Sequence, residues 1–110
     1  MSYQIHITQT AEHDISESAD YIEFVLKNPD AADHLLDLVA DRIGSLAENP
    51  RIFPIVDDAV LRSWGIRFVV IKNYNTFYTV DEESNRIYIV RFLYGKRDWI
   101  SILKQGFNLE

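Results

Sequence analysis

The stretch that most constrains the fold runs from Arg86 to Leu93, with the sequence RIYIVRFL. Its residues are β-branched or aromatic almost throughout and apolar on both alternating faces, which is typical of a strand buried on two sides inside a sheet. Arg91 has the parity of Ile87 and Ile89, so we expect its side chain on the same face as theirs. Residues 94–98 add a phenol, two cations and a carboxylate, so a functional site is expected near this strand's end.

The first half of the chain predicts one strand followed by two helices. Residues 3–7 alternate apolar and polar side chains, which indicates a half-buried strand. A helix with Thr10 as its N-cap then continues on an apolar stripe to Lys27, and Pro29 starts a second helix that continues to Asn49. The two apolar stripes predict an antiparallel helical hairpin that covers a sheet.

The second half predicts a β-meander after a loop over residues 49–58 that contains two prolines. Strands are expected near Val60 to Ser63, Ile66 to Lys72, Thr76 to Val80 and Arg86 to Leu93, and a last helix at Trp99 to Leu103.

These elements predict one α+β domain over residues 1–110, with an N-terminal strand, an antiparallel helical hairpin, a three- to four-stranded antiparallel meander and a short C-terminal helix. The helices would cover one face of the sheet. The other face would be concave and partly open, so that a partner could bind there.

The composition excludes several classes of protein. The chain has no cysteine, so neither a disulfide framework nor a thiolate metal site is expected. No apolar stretch approaches the roughly 18 residues of a membrane span, and no basic region followed by an apolar run begins the chain. We therefore expect a soluble, cytoplasmic protein without a membrane partner.

Charge is distributed unevenly along the chain. The formal net charge is −6, and residues 1–56 carry 10 acidic and 3 basic side chains, whereas residues 57–110 carry 7 acidic and 8 basic ones. The overall acidity counts against tight non-specific binding to nucleic acid, which depends on clustered lysine and arginine. The second half can still present a local cationic surface.

Three motifs in the second half are distinctive. They are a Gly-x-Arg turn at residues 65–67, an Asn-Tyr-x-x-Phe-Tyr stretch at 73–78 and the ending Arg-Phe-Leu-Tyr-Gly-Lys-Arg-Asp at 91–98. Together with the order of elements, they resemble the RelE/ParE superfamily of toxins from type II toxin-antitoxin systems, of the plasmid-stabilisation type. The resemblance covers nearly the whole chain. It implies a growth-inhibiting toxin that a cognate antitoxin neutralises by forming a hetero-oligomer with it.

The resemblance implies one of two activities, which the fold does not separate. ParE-like members inhibit DNA gyrase, whereas RelE-like members enter the ribosome and cut mRNA. We favour gyrase inhibition, because two lysines of the RelE-like nucleases are replaced here by Asp58 and Val60, and a tyrosine by Leu103. A third interpretation is a non-toxic homologue that only binds an antitoxin.

Two arginines are the candidate catalytic residues if the chain cuts RNA. Arg67 and Arg97 resemble the phosphate-contacting arginines of RelE-type nucleases, and a structural ion pair is the alternative role for each. Candidates for binding a partner are Trp64, Arg91, Tyr94 and Lys96. Trp64 could equally be a core residue, and Arg91 could pair with a helix carboxylate.

A general base or acid is harder to assign. Tyr78, Tyr88 or Tyr94 could serve, but strand tyrosines more often pack than react. The three histidines, His6, His13 and His34, lack the spacing of metal ligands. We therefore expect neither a metal nor a cofactor.

Overall fold

The computed structural model describes residues 2–110, which form an α+β fold. Its strands and helices, in chain order, are β1 (Gln4–Ile7), α1 (Gln9–Asp20), a π-helical turn (Tyr21–Val25), α2 (Pro29–Ser45), α3 (Ala59–Ser63), β2 (Arg67–Ile71), β3 (Tyr74–Asp81), β4 (Arg86–Tyr94) and α4 (Trp99–Lys104). The sheet order is β1-β4-β3-β2, with β1 parallel to β4 and the other pairs antiparallel. The predicted fold class is therefore confirmed. None of the helices within residues 2–110 combines the length and the hydrophobicity that a membrane span requires.

α1 begins earlier than predicted, because Thr8 rather than Thr10 is its N-cap. The Thr8 hydroxyl accepts a hydrogen bond from the Ala11 N–H at 3.3 Å and donates one to the Ile89 carbonyl at 2.8 Å. Thr8 is buried, whereas Thr10 is exposed in the first helical turn. The cap thus fixes the start of α1 against β4, at the point where β1 ends at Ile7.

The predicted break between the two helices is confirmed. Asn28 caps α2, since its side-chain oxygen accepts a hydrogen bond from the Ala31 N–H at 3.1 Å, and Pro29 is the first helical residue. The chain reaches this cap through Lys27, whose φ is +54°. α1 and α2 then bury one face of the sheet, with Leu35, Val39 and other apolar residues packed on the side chains of β2, β3 and β4.

The prediction that the second face of the sheet is open is wrong. α3, α4 and Phe107 cover it and pack against apolar side chains of the sheet such as Phe77 and Val90. Residues 60–63 form part of α3 rather than the predicted strand, because the Asp58 carboxylate accepts a hydrogen bond from the Leu61 N–H at 3.2 Å and caps a helical turn. This local cap outweighs the weak β preference of so short a segment.

A β-bulge interrupts the pairing of β3 with β4 next to Arg91. The register passes from Phe77 opposite Arg91 to Tyr78 opposite Ile89, so it skips Val90. The Arg91 side chain pairs with Asp14 of α1, the helix that packs on the face of Ile87 and Ile89. Because the bulge inserts one residue into the alternation, parity along the strand does not by itself fix the face of a residue beyond it.

Candidate functional site

A groove lies between the helical hairpin and the ends of β3 and β4. Its volume is about 850 Å³, and its apolar lining includes Ile22, Leu26, Tyr74, Phe92 and Tyr94. The Tyr74 ring stacks on Phe92 with ring centroids 4.7 Å apart and meets the edge of Tyr94 at 5.8 Å. These three rings form a rigid aromatic wall at the end of the sheet.

The π-helical turn exposes apolar side chains next to this groove. Tyr21, Phe24, Val25 and Leu26 are 53%, 66%, 62% and 57% exposed, and we call these four residues the apolar tip. A π-helical turn holds more residues than an α-helical turn, so it rotates the following side chains away from the buried stripe of α1. Ile22 still packs on the first core, whereas the apolar tip faces solvent.

Cations lie at the sheet end of the groove. The Gly95 N–H donates a hydrogen bond to the Asn73 carbonyl at 2.8 Å, which places the turn after β4 beside the turn between β2 and β3. Lys72 and Arg97 both line the groove and are exposed, and Lys96 is exposed in the same turn as Arg97. Within residues 2–110, none of these three cations has a carboxylate oxygen within 4.0 Å.

A bulky residue at position 95 would disturb this arrangement. A Cβ atom added to Gly95 would lie 3.3 Å from the Asn73 carbonyl oxygen, which is closer than ordinary van der Waals contact. The glycine of the Tyr-Gly-Lys-Arg motif therefore allows the two turns to approach each other.

Arg67 and Arg97 do not come together. The Arg67 Nη1 donates hydrogen bonds to the carbonyls of Phe53 at 2.7 Å and Arg51 at 3.4 Å, so the guanidinium fastens the preceding loop to β2. Arg67 lies four residue steps along β2, or about 13 Å of strand, from Ile71, which is at the end of the sheet near Arg97. The structure therefore shows no joint phosphate clamp formed by the two arginines.

The four predicted binding residues lie in different surroundings. Tyr94 is 39% exposed and lines the groove, and Lys96 is exposed in the turn that follows it. Trp64 is 42% exposed, with its ring edge-on to Phe107 at 6.0 Å, on the other side of the sheet. Arg91 forms an ion pair with the Asp14 carboxylate of α1, as the alternative assignment for this residue predicted.

The strand tyrosines differ in their surroundings. Tyr78 is fully buried and donates a hydrogen bond to the Pro50 carbonyl at 2.6 Å, and this burial raises the pKa of Tyr78 to about 12. A phenol with that pKa stays protonated near neutral pH, so it is a poor general base there. Tyr88 is half-buried, and its ring meets His6 at 5.7 Å. Residues 2–110 contain no group of three or more His, Asp or Glu side chains arranged to hold a metal ion.

The sequence pattern did not predict that Asp14 contacts β4. Asp14 lies in the first turns of α1, where a carboxylate interacts favourably with the helix dipole and needs no buried partner. In the structure it is buried beside Ala11 and Ile15 and contacts β4. A carboxylate that interrupts a buried apolar stripe at helical spacing is a signal for a buried partner.

Comparisons with known proteins identify a matching family and similar structures. Residues 5–99 match the family model described as the ParE toxin of type II toxin-antitoxin system, parDE. The search of curated proteins found no match. A chain of the toxin-antitoxin complex RelBE2 from Mycobacterium tuberculosis is 18% identical, covers 86% of this chain and 99% of its own length, and has a TM-score of 0.58.

A chain of the chromosomal ParDE toxin-antitoxin system from P. aeruginosa is 16% identical, with 84% of this chain and 96% of that one covered and a TM-score of 0.68. At such identities the two structures show the shared fold alone. The family model, in contrast, matches most of the sequence, including the distinctive motifs of β3 and β4. This chain therefore belongs to the ParE toxin family of type II toxin-antitoxin systems.

Proposed function

We propose that this chain is a growth-inhibiting toxin that acts in the cytoplasm on DNA gyrase and that a cognate antitoxin neutralises. The family match supports a toxin of this type. The observation that carries the choice of a protein target is the placement of Arg67, which is bound to two loop carbonyls and lies at the opposite end of β2 from the turns beside Arg97. A RelE-type nuclease would need these arginines on one phosphate.

The chemistry of RNA cleavage is a second reason to favour a protein target. Attack by a 2′-hydroxyl requires a group that takes its proton, donors that stabilise the charged phosphorane and an acid for the leaving oxygen. Beside Arg67, the nearest strand neighbour that could transfer a proton is Tyr78, whose pKa of about 12 and hydrogen bond to Pro50 suit a structural role. Asp58 caps α3 and pairs with Lys104 at 3.1 Å, so it cannot replace the cation that RelE-type nucleases carry there.

One observation favours mRNA cleavage as the second candidate function. Lys72, Tyr94 and Arg97 line the groove at its sheet end, and Lys96 is exposed next to Arg97 in the chain. Three cations and a phenol could hold and cleave a phosphodiester, although this would be a different site from the one that the motifs predicted.

An antitoxin partner is supported by the structural neighbours, both of which come from toxin-antitoxin systems. It is also supported by the apolar tip, because four adjacent large apolar residues that are each more than half exposed are unusual on a protein that acts alone. We propose that the toxin and antitoxin form a hetero-oligomer through this side of the molecule.

The two candidate functions predict different results when the chain is expressed in bacteria without a partner. Plasmid supercoiling and the 5′ ends of cellular mRNA are measured in the same cultures, for the wild-type chain and for Arg67→Ala and Arg97→Ala. Gyrase inhibition predicts relaxed plasmids and no new codon-positioned mRNA ends. New ends that disappear in Arg97→Ala would instead establish the nuclease, and normal growth with normal supercoiling would leave only antitoxin binding.

A further inference from the structure

β1 forms an open edge of the sheet. In the part of the chain that the structure describes, the sheet order is β1-β4-β3-β2, so β1 has a neighbouring strand on one side only. The Thr8 N–H donates a hydrogen bond to the Ile89 carbonyl of β4 at 3.1 Å. Main-chain groups of a parallel strand face its two sides alternately, so those of Ile5 and Ile7 point away from β4. Another strand can therefore pair with β1 along this edge.

The opposite edge of the sheet is already covered. Ile55 forms a β-bridge with Arg67 of β2, and the Phe68 N–H donates a hydrogen bond to the Pro54 carbonyl at 3.2 Å. β1, in contrast, has the sequence QIHI, without the lysine or proline that often prevents an edge strand from pairing. Of the two edges, β1 is therefore the one that can accept a further strand, although its four residues keep the pairing short.

An apolar groove of about 560 Å³ lies beside β1. Its lining includes Ile5 and Ile7 of β1 and the stripe Leu36, Ala40 and Gly44 of α2. Leu36 is 41% exposed, and the two isoleucines are only half-buried although they pack on the first core. Every second side chain of a strand added to β1 would point towards this groove. Main-chain pairing combined with pockets for alternate side chains is how extended peptides bind to sheet edges.

The rim of this groove is negatively charged. Glu12 lines the groove, and Asp37 and Asp41 of α2 are exposed three residues before Ala40 and Gly44, so they are neighbours of these two on the helix surface. Within the described part of the chain, none of the three carboxylates has a cation within 4.0 Å. A ligand that carries lysine or arginine is therefore attracted to this rim.

We propose that the open edge of β1 and this groove together bind an extended, basic segment of the target protein, which adds to the sheet as a further strand. Its apolar side chains pack against Leu36 and Ile5, and its cations lie beside Asp37 and Asp41. This inference rests on the proposed function, since the target is the protein that the toxin inhibits. The antitoxin is proposed to bind at the apolar tip, so this surface is a separate one.

Two other occupants fit the charge of the rim less well. A second copy of this chain, paired through its own β1, would bring the same carboxylates close to their equivalents, and like charges repel each other. A nucleic acid would place its phosphates beside Glu12 and Asp37. The acidic rim thus favours a basic polypeptide.

The first test changes the charge of the rim and uses purified gyrase as the probe. Affinity is measured at low and at physiological salt for the full-length wild-type chain and for the double variant Asp37→Lys, Asp41→Lys. The matched control, Asp57→Lys with Glu83→Lys, makes the same change in net charge at exposed positions that do not line the groove. Circular dichroism and the melting temperature verify that each variant folds.

The second test fills the groove. Gly44 lines it, and a Cβ atom at this position meets no other atom within 4 Å. Gly44→Phe is therefore expected to fold and to place its ring over the groove, whereas Gly44→Ala adds only a methyl group and is the matched control. Gly44→Phe is expected to bind gyrase at least about tenfold more weakly, and Gly44→Ala as tightly as the wild type.

The proposal further predicts that the double variant binds gyrase at least about tenfold more weakly and loses most of the salt dependence, while its control behaves as the wild type does. Hydrogen exchange of the N-terminal peptide that contains Ile5 and Ile7 is expected to slow in the complex, because a new strand accepts their N–H groups.

The possible results separate this inference from the proposed function. Equal affinity of the wild type and Gly44→Phe, or unchanged hydrogen exchange, would overturn the docking site and leave gyrase standing as the target. No binding of gyrase by the wild type would overturn both. The same variants are also assayed with the protein encoded by the short reading frame next to this gene. If they lose that partner but keep gyrase, the groove belongs to the antitoxin and the inference is overturned.

Discussion

Asp14 of α1 accepts two hydrogen bonds from the guanidinium of Arg91 in β4, from Nε to Oδ2 at 2.7 Å and from Nη2 to Oδ1 at 3.0 Å. The same Oδ2 accepts the Phe92 backbone N–H at 3.0 Å. β1 pairs with β4 only as far as Ile7 opposite Ile89, so beyond that point the Asp14 carboxylate provides the acceptor that a longer β1 would have supplied. One carboxylate thus joins the helical hairpin to the central strand.

We predict that Asp14→Ala is strongly destabilising. The change leaves the Arg91 guanidinium and the Phe92 N–H without their acceptor in a site where Asp14 is only 7% exposed. Breaking a buried pair in this way costs about 3–5 kcal/mol. Because part of the Arg91 side chain reaches solvent, we expect the free energy of unfolding to fall by about 3 kcal/mol. Urea unfolding followed by circular dichroism measures this loss.

The control for Asp14→Ala is Glu17→Ala, one turn along the same helix. Glu17 is exposed and pairs only with His13, so its removal is expected to change the free energy of unfolding by less than about 0.5 kcal/mol. Equal effects of the two substitutions would mean that the pair between Asp14 and Arg91 does not hold α1 on β4.

Stability is expected to fall at alkaline pH because of Tyr78. Its pKa is about 12 in the folded chain, against an ordinary value of 10.0 for tyrosine, so above about pH 10 the unfolded chain loses this proton while the folded chain keeps it. A raised pKa therefore stabilises the fold fully below pH 10, and this contribution disappears as the pH rises towards 12. Between about pH 9 and about pH 11, the wild type should lose about 1 kcal/mol more than Tyr78→Phe loses.

The comparison of unfolding curves at both pH values tests this prediction. At neutral pH, Tyr78→Phe is itself expected to be less stable by about 1 kcal/mol, because it lacks the hydrogen bond to the Pro50 carbonyl. Parallel pH profiles of wild type and variant would show that the Tyr78 phenol ionises normally in the folded chain.

Two glycines are expected to respond in opposite directions to alanine. Gly65 follows α3 with φ at +71°, a left-handed conformation that a Cβ disfavours, so Gly65→Ala should cost about 1 kcal/mol. Gly44 lies in α2, and a Cβ there meets no atom within 4 Å. Gly44→Ala should therefore stabilise the chain by about 0.5–1 kcal/mol. Thermal unfolding of the two variants checks both signs, and a stabilised Gly65→Ala would refute the left-handed turn.

Sequence patterns predicted the elements whose periodicity is long and regular. The apolar stripes of α1 and α2, the Asn28-Pro29 break and the strand from Arg86 are all present in the structure. Shorter features depend on single side chains, so periodicity does not reveal them. Asp58 caps a helical turn over residues 60–63, which were predicted to form a strand, and the bulge at Val90 interrupts the strand alternation next to Arg91.

The candidate site was predicted only in part, for reasons of tertiary structure. Tyr94, Lys96 and Arg97 lie together because they are neighbours in one turn, which the sequence motif showed. Lys72 joins them through the hydrogen bond between Gly95 and Asn73, and the apolar tip adjoins them through helix packing. The covered second face depends on α4 and Phe107 folding back over the sheet, a long-range contact that local patterns do not report.

The central claim is that this toxin acts on a protein target without cutting RNA, and supercoiling by purified gyrase tests it most directly. The wild-type chain is titrated into a reaction that contains gyrase, ATP and relaxed plasmid, and in parallel into translating ribosomes with a defined mRNA. The account predicts that supercoiling falls with increasing chain, that Arg67→Ala inhibits as well as the wild type once its folding is verified, and that the mRNA stays intact. Undiminished supercoiling together with mRNA cleavage that requires Arg67 and Arg97 would contradict it.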